Sequence, residues 1–499
     1  MPKSHDMVSS EATFHRTTNG ITQVTTQHDL TFDHHERNIP KTLIAQALAN
    51  TKYAPYWLDT PDRPAATEAL AGSLETDLLV VGGGYTGLWT ALQAKERDPN
   101  RQVVLIEAQR IGWAASGRNG GFCEYSLVHG AANGQNHLPD ENAKLTKLGM
   151  QNLAEIRETA QRYNMDIELE TDGSINVATE QHQVEWLREA EHFLNASETR
   201  ALINSPEFLA AERDEDGTML VHPAKLAWEL ARVCRELGVE IYENTKAERL
   251  IDTGPTLRVT TPEGQITAKR VALATNAFPS LLKRHNFYTL PLYDYALMTE
   301  PLTDLQREAI GWDKMIGLAD LNNRFHYSRP TIDEHGGFRI LWGGYDAIYH
   351  FGGKVRSEYD YRDETFEKLV AHFYGTFPQL EGIKFTHAWG GAIDSCSRFF
   401  SFFDLSHRGR VAYSAGYTGL GVGATRFGAK VMLDLLSGEE TELTQLQLVR
   451  KKPIPFPPEP ATWMGVQVMS NQMIRADRNQ GQRSLFLRTM DKIGIGFDS

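Results

Sequence analysis

The chain has 499 residues, 41% of them hydrophobic and 23% charged, with a formal net charge of -13. That length supports two or more domains around sizeable cores, and the acidic balance argues against nucleic acid as a partner, which needs clustered Lys and Arg. The three cysteines, Cys123, Cys234 and Cys396, form no C-x-x-C pair, and no apolar run is long enough for a membrane span or a signal segment, so a cytoplasmic protein without disulfide framework or bound metal is expected.

Residues 1–40 are polar and rich in Thr, His and charge, the composition of a flexible extension. His34 and His35 are adjacent rather than one helical turn apart, so they read as solvated side chains and not as metal ligands. Apolar periodicity predicts a short helix over 39–50. Tyr56-Trp57-Leu58-Asp59-Thr60 then leads into a Pro-rich connection.

An apolar strand at 78–81 runs into Gly82, Gly84 and Gly87. A helix opened by Tyr85 and Thr86 stops near Asp98-Pro99, and a second apolar strand at 103–106 ends on Glu107 and Ala108. This is a βαβ unit with a dinucleotide fingerprint. Gly82 allows the tight turn, Gly84 lets backbone approach a pyrophosphate, and Gly87 lets the helix pack closely on the sheet. The helix start offers unpaired N–H groups to phosphates. Glu107 is placed to accept from a ribose 2′-OH and disfavours a 2′-phosphate. The motif alone does not separate FAD from NAD.

The loop 111–121 follows closely. It is dominated by small residues and carries Ser116, Gly117, Arg118, Asn119, Gly120 and Gly121. Such a loop brings backbone N–H groups and the Ser116 hydroxyl onto phosphates, or backbone beside a flat ring. Residues 139–165 and 180–213 read as helical, with two short strands over 167–177 between them. A clear amphipathic helix at 226–237 precedes strands at 239–242, 257–260 and 271–274, the latter leading into Thr275. Residues 291–300 and 325–347 are strand-rich and aromatic, and 365–374 reads as a helix.

A last apolar strand at 411–414 enters Gly416-Tyr417-Thr418-Gly419-Leu420-Gly421-Val422-Gly423 and then a helix ending at Ser437-Gly438. This second glycine-rich helix start is again a site for negative charge, such as a reduced flavin carries over N1 and its C2 carbonyl. A Pro-rich linker at 452–460 leads to a helical tail. Its Trp463, Val466, Val468, Met469, Met473 and Ile474, followed by Arg475, Arg478 and Arg483, suit either a docking or dimer helix or one packed on its own chain. No internal repeat is present.

These signals, in this order, resemble the FAD-dependent D-amino acid oxidase superfamily, and more closely its γ-glutamylputrescine-oxidase-like amine oxidoreductase branch. The resemblance covers roughly residues 54–499. It rests most on Ala-Ser-Gly-Arg-Asn-Gly-Gly (115–121) and Gly-Tyr-Thr-Gly-Leu-Gly-Val (416–422). Val-His-Pro-Ala-Lys-Leu (221–226), Ala-Leu-Ala-Thr-Asn-Ala (272–277) and Trp-Gly-Gly-Tyr-Asp (342–346) support it. It implies an α/β fold: a Rossmann-like FAD-binding domain of the glutathione-reductase type with an inserted mixed α+β substrate domain. The expected division is an extension at 1–53, FAD-binding segments at 54–150, 218–290 and 387–450, substrate-domain segments at 151–217 and 291–386, and the linker and tail at 451–499.

The resemblance further implies FAD and oxidation of a carbon–nitrogen bond. Gly82, Gly84, Gly87 and Glu107 would hold the ADP half, Ser116 to Gly120 would line pyrophosphate and flavin, Ala247 would meet the adenine, and Gly419, Leu420, Gly421 and Val422 would face the pyrimidine edge. Three departures refine this. No cysteine stands in 387–391, where some relatives attach the flavin, so FAD is expected to be non-covalent. No arginine stands at Gly390 or Gly391 to clamp a carboxylate, which leaves Arg324, Arg329 and Arg398 as candidates and disfavours a plain α-amino acid. No lysine stands near Trp342 to activate oxygen, which leaves the acceptor open between O2 and another oxidant.

The expected enzyme is therefore a flavin-dependent amine oxidase. A neutral amine would place its α-C–H over flavin N5, lose hydride, and give an imine that water hydrolyses. His326 or Tyr327 would take the proton, with Trp342 also near the reacting centre. Phe325, Tyr345, Trp389 and Tyr417 would line an aromatic pocket suited to an amine. The alternatives are a flavin dehydrogenase with a different acceptor, a non-catalytic flavin-binding partner protein and an NAD-dependent dehydrogenase.

Overall fold

The structure, a computed structural model, describes residues 30–492, 494 and 495. The Val- and Leu-rich runs assemble an eight-stranded sheet whose main order is Phe402–Ser406, Val411–Ala415, Gly264–Leu273, Gly72–Val81, Val103–Ile106 and Val239–Tyr242. The last five of these run parallel. Val103–Ile106 is buried along its whole length, as parallel strands covered on both faces must be. A hairpin, Arg249–Asp252 and Leu257–Thr260, joins antiparallel to Gly264–Leu273. Helices Tyr85–Arg97, Pro223–Glu236 and Gly421–Ser437 pack over one face. A Cβ at Gly87 would lie 1.9 Å from the Gly82 carbonyl oxygen, so the helix can approach its strand only because that position is glycine.

Because the central strands are parallel, their carboxyl ends share one edge. Gly82, Glu107, Ala274 and Gly416 all stand there. An open α/β sheet binds its ligand at this edge.

A second, nine-stranded sheet lies beyond it. Leu290–Thr299 pairs antiparallel with Phe385–Ser395 along nearly its whole length and with Phe338–Gly344 on its other side. His326–Ile332, Gly317–Asp320, Ser174–Ala178, Ala210–Asp214 and Phe193–Asn195 continue the sheet. One face buries Phe32, Ile44, Trp342, Phe366 and Phe373 in a common core with helix Asp363–Thr376. Among the described residues no helix is long and apolar enough to cross a membrane, and no cluster of His, Cys, Asp and Glu could hold a metal ion.

Several sequence-based expectations fail here. The helical reading of 180–213 breaks into helices Gln181–Leu187 and Ala196–Leu202 with strands Phe193–Asn195 and Ala210–Asp214. The cause is local: Asn195 Oδ1 accepts from Ser197 N at 2.9 Å and Glu198 N at 3.2 Å, so it starts a new helix instead of continuing the old one. Of two strands expected over 167–177, one forms, at Ser174–Ala178. The end of the flexible extension is a helix, Thr31–Asn38, whose Phe32 and His35 are buried, and the next helix is Lys41–Leu48. Only His34 of the histidine pair is exposed. The expected boundary between 386 and 387 falls inside strand Phe385–Ser395, which belongs to the second sheet until residue 395. Residues 1–29 of the expected extension lie outside the described residues.

Candidate active site

The carboxyl ends of the parallel strands, one face of the second sheet and the C-terminal helix Ala461–Arg478 enclose a cavity of about 1360 Å³. At the parallel-sheet end its wall is mainly backbone. Gly82, Gly84, Tyr85, Thr86, Glu107 and Ala108 line it. Ser116, Arg118, Asn119 and Gly120 follow, then Ala247 and Thr275, and Gly419, Leu420, Gly421 and Val422 close the circle. Gly87, Gly117 and Gly121 stand behind this wall. A Cβ at Gly117 would lie 2.2 Å from the Gly112 carbonyl oxygen, and one at Gly121 2.2 Å from that of Val221, so both allow close backbone approach without forming the surface.

Two helix N-termini open on this end, and neither N-cap residue, Gly84 or Leu420, bonds its helix through a side chain. The first free N–H groups of a helix carry positive potential. Tyr85 N donates to Ser116 Oγ at 3.0 Å, tying the first helix to the loop 111–121. A Cβ at Gly421 would meet only the Thr425 methyl at 3.8 Å, and one at Gly419 only the His129 ring at 3.9 Å, so this backbone is bare to the cavity. Glu107 accepts from Gly83 N at 2.7 Å, Gln109 N at 2.9 Å and Trp113 Nε1 at 2.9 Å, and burial raises its carboxyl above the usual range. A carboxylate offers about four acceptor positions, so capacity for one more donor remains. Bare backbone at two helix starts, with an acid on the adjacent strand bonded to the glycine turn, fits an adenine dinucleotide whose other end is a flat ring.

The loop is fixed from several sides. Trp57 Nε1 donates to Asn119 O at 2.9 Å and Trp389 Nε1 to Arg118 O at 2.8 Å. The Arg118 guanidinium is spent on Asp360 at 2.5 Å and Gly390 O at 3.1 Å, so it acts as a strut between the two sheets. Cys396 is a packed thiol, its Sγ donating to Phe400 O at 3.1 Å.

The far wall comes from the second sheet. Phe325, Tyr327, Tyr345 and Trp389 line the cavity from this side, and Tyr417 lines it from the turn after Val411–Ala415. His326 and Trp342 do not, and the expectation that they reach the reacting centre is corrected. Successive strand residues point to opposite faces, so if Tyr327 faces the cavity His326 cannot. Trp342 pairs across from Ser328 and shares the face of His326, with the two rings stacked at 4.9 Å. Both are buried on the helix side, where His326 Nδ1 is 2.7 Å from Asp320 Oδ2 and Nε2 is 2.9 Å from His372 Nδ1. The neighbouring position on the Trp342 strand, on the Tyr327 face, is Gly343, which pairs with Tyr327 and lies under its ring.

Sequence reasoning also missed the acids of this wall. Asp294 lines the cavity and accepts the Tyr327 hydroxyl at 2.7 Å. Burial pushes its carboxyl up to about 6, against the pull of that hydrogen bond and of the Tyr295 N–H. Glu124 is pushed up to about 7 by burial, with Asp214 adding to the effect. Asp394 is pushed up to about 7 by burial and accepts from Gly416 N at 2.6 Å, which holds the turn before the second helix start. Asp294 lay within the Tyr-Asp-Tyr of the strand, and the signal that could have found it is an acid on the inward side of an otherwise apolar alternation.

Of the candidate arginines, Arg329 donates to Val221 O at 2.7 Å and Pro330 O at 3.1 Å, and Arg398 to Ser401 O at 2.5 Å and Leu448 O at 2.9 Å. Neither lines the cavity. Arg324 does, with its guanidinium 4.0 Å from the Tyr345 ring centre and 3.7 Å from Asp33. The roof is the C-terminal helix, whose Val466, Met469, Met473 and Ile474 turn inward. Asp477 fastens it by accepting from Asn323 N at 3.2 Å, and Arg478 by donating to Asp33 at 2.7 Å.

The family description FAD dependent oxidoreductase (DAO) matches residues 77–435. Gamma-glutamylputrescine oxidoreductase of Escherichia coli (strain K12) is 31% identical over 404 residues, covering 77% of this chain and 89% of that protein. Sarcosine oxidase subunit beta of Rhodobacter capsulatus is 24% identical over 339 residues, 64% of this chain and 74% of that one. Among solved structures, glycine oxidase from Geobacillus kaustophilus superposes with a TM-score of 0.61 at 18% identity, covering 76% of this chain and 99% of that chain. L-Proline dehydrogenase from P. horikoshii gives 0.60 at 17%, covering 74% and 96%. The glycine-lined edge, the second sheet beyond it and the matched sequence agree, and the chain belongs to the DAO family of FAD dependent oxidoreductases, on the amine oxidoreductase branch.

Proposed function

We propose that this enzyme oxidises the carbon–nitrogen bond of a small amine that lacks an α-carboxylate, such as a primary or secondary amine, a polyamine or a γ-glutamyl amine. The observation that carries this reading is the make-up of the far wall. It offers aromatic rings and the acid Asp294; Arg329 and Arg398 are consumed by carbonyls, and Arg324, the candidate arginine that does line the cavity, lies over the Tyr345 ring beside Asp33. An amino acid needs a guanidinium fork for its carboxylate; an ammonium needs an anion and ring faces. The relatedness to gamma-glutamylputrescine oxidoreductase supports the same class.

In this reading Gly82, Gly84 and the two helix starts hold the cofactor's phosphates and pyrimidine edge, and Glu107 its ribose. FAD, when bound, supplies the acceptor for the hydrogen and electron pair leaving the amine's α-carbon. The chain's own part is to orient the amine, keep the cavity dry beneath the roof helix, and hold the phenol of Tyr327 beside it. Cys396 is committed to carbonyls, which supports FAD held without a covalent link. Electrons pass to O2, giving H2O2. A different acceptor is the second reading, favoured by strand Phe338–Gly344, which places no lysine beside the cavity. Anaerobic mixing with matched pairs of amine and α-amino acid tests the substrate class. The amine should bleach the flavin faster, and the reverse preference would overturn it. Peroxide release under air separates the acceptors.

A further inference from the structure

The side chain of Tyr327 takes a constrained route to Asp294. Tyr327 stands on strand His326–Ile332 and Asp294 on Leu290–Thr299, with Phe338–Gly344 between them. The phenol crosses the intervening strand at Gly343, where a Cβ would lie 2.7 Å from its Cζ and 2.8 Å from its hydroxyl oxygen. Its other edge rests on Gly120 of the cofactor-facing loop, where a Cβ would lie 2.9 Å from Cε2. Two glycines therefore keep the ring lying flat across the sheet, and the hydroxyl ends on Asp294 Oδ2.

The carboxylate so held has no counter-charge. No ion pair to Asp294 exists among the described residues. The charged neighbour that acts on it is Asp346, which is itself paired with Arg362 at 3.0 Å and bonded by Thr365 at 2.6 Å. An uncompensated carboxylate in an enclosed wall is costly. It accepts from the Tyr327 hydroxyl and the Tyr295 N–H, and it lines the same cavity as Trp389, Tyr417 and Tyr345.

We propose that Asp294, aimed by Tyr327 across Gly343, is the ammonium-binding group of the substrate wall. This deepens the reading of the enzyme as an amine oxidoreductase and rests on it. The ligand it selects carries a positive charge and no neighbouring carboxylate, which Asp294 would repel. Asp294 is the binding group; Tyr327 is a positioning residue that sets the carboxylate's orientation and closes its second oxygen.

The test uses the FAD-loaded full chain under anaerobic conditions. Wild type, Asp294→Asn and Tyr327→Phe are titrated with an alkylamine, an α,ω-diamine and the alcohol of matching shape, with binding read from the perturbation of the flavin absorption band. Asp294→Asn should weaken both amines roughly 10- to 100-fold and leave the alcohol unchanged. Tyr327→Phe should weaken the amines by a smaller factor. Amines bound by Asp294→Asn as tightly as by wild type would overturn the proposal. If Asn at 294 prevents FAD uptake, Tyr327→Phe carries the test, and equal loss of amine and alcohol there would overturn it. An amine whose binding depends on Asp294 but which never bleaches the wild-type flavin would sink the oxidoreductase reading and leave the subsite standing.

Discussion

The two ends of the cavity are made of different material. At the parallel-sheet end the surface is mainly backbone: glycines at strand ends and two helix starts whose N-cap residues contribute no side-chain bond. At the second-sheet end it is side chain: the phenol of Tyr327, the indole of Trp389 and the acid Asp294 carried on antiparallel strands. A backbone surface depends on what is absent, since any Cβ would fill it. A side-chain surface depends on which of two alternating faces each residue takes. The first should be intolerant of added atoms anywhere; the second should respond only at residues of the inward set.

The largest effect is expected at Gly87. A side chain there meets the Gly82 carbonyl oxygen at 1.9 Å, and backbone cannot yield as a flexible side chain would. Gly87→Val should cost about 3 kcal/mol or more and leave a protein without flavin, measured as FAD per chain and thermal midpoint. Gly391→Ala is the contrast, because its new methyl group meets only Arg118 Cδ at 3.5 Å. Flavin content should be retained there. Equal loss in both variants would break the idea that the glycines differ by what stands behind them.

Trp342 separates the two faces of the second sheet. It is nearly fully buried against Phe373, Phe377 and His326 on the helix side. Trp342→Ala should cost about 3–5 kcal/mol of stability while the folded fraction reduces its flavin with amine at the wild-type rate. A specific loss of reduction rate, with stability intact, would restore this residue to the reacting centre.

These contrasts explain what could be read from the sequence. Gly82, Gly84, Gly87 and the run 416–423 were legible because glycine at a strand end reports a backbone need directly. The central strand at 103–106 was legible because a buried parallel strand is continuously apolar, and the outer strand at 239–242 because its residues alternate between buried and exposed. Trp342 was misplaced by one residue from Gly343, and on a strand one residue is the whole difference between faces. Asp294 left a trace as an acid in an otherwise apolar alternation, but its partner Tyr327 could not be read because a distant strand contributes it. The apolar stripe of the C-terminal helix was visible, but whether Val466 and Met469 cover a cavity or a partner depends on where the linker at 452–460 carries it.

Gly343→Ala tests the crossing of the phenol with a single methyl group. The new Cβ would lie 2.7 Å from Tyr327 Cζ, so the ring must lift and its bond to Asp294 must lengthen. Losing one charge-assisted hydrogen bond outright corresponds to about 1.5–3 kcal/mol; a bond lengthened rather than lost forfeits the lower end of that range, so kcat/KM for an amine should fall by roughly tenfold, with flavin content unchanged. Loss of flavin instead would place the disturbance at Gly120 and join the two ends that the comparison keeps apart.

The smallest effect is on stability and runs opposite to function. Burial holds the Asp294 proton up to about 6 in the folded chain, from an ordinary value of 3.8, with Asp346 pushing the same way and the Tyr327 and Tyr295 donors opposing. Between those values the folded state binds more protons than the unfolded one, so this group's contribution to stability falls as pH rises through the window and stays lost above it. Each unit is worth about 1.4 kcal/mol, and water in the cavity reduces the whole to about 1–2 kcal/mol. Asp294→Asn removes a carboxylate that must otherwise be held without a partner, so it should melt above wild type at about pH 8. The gap should close as pH falls toward about 4. A cationic amine added to wild type at the higher pH should narrow it from the other side, by binding only the folded form. An equal melting temperature for the two proteins at high pH would mean that the carboxylate already has a counter-charge. The far wall would then be as self-contained as the glycine end.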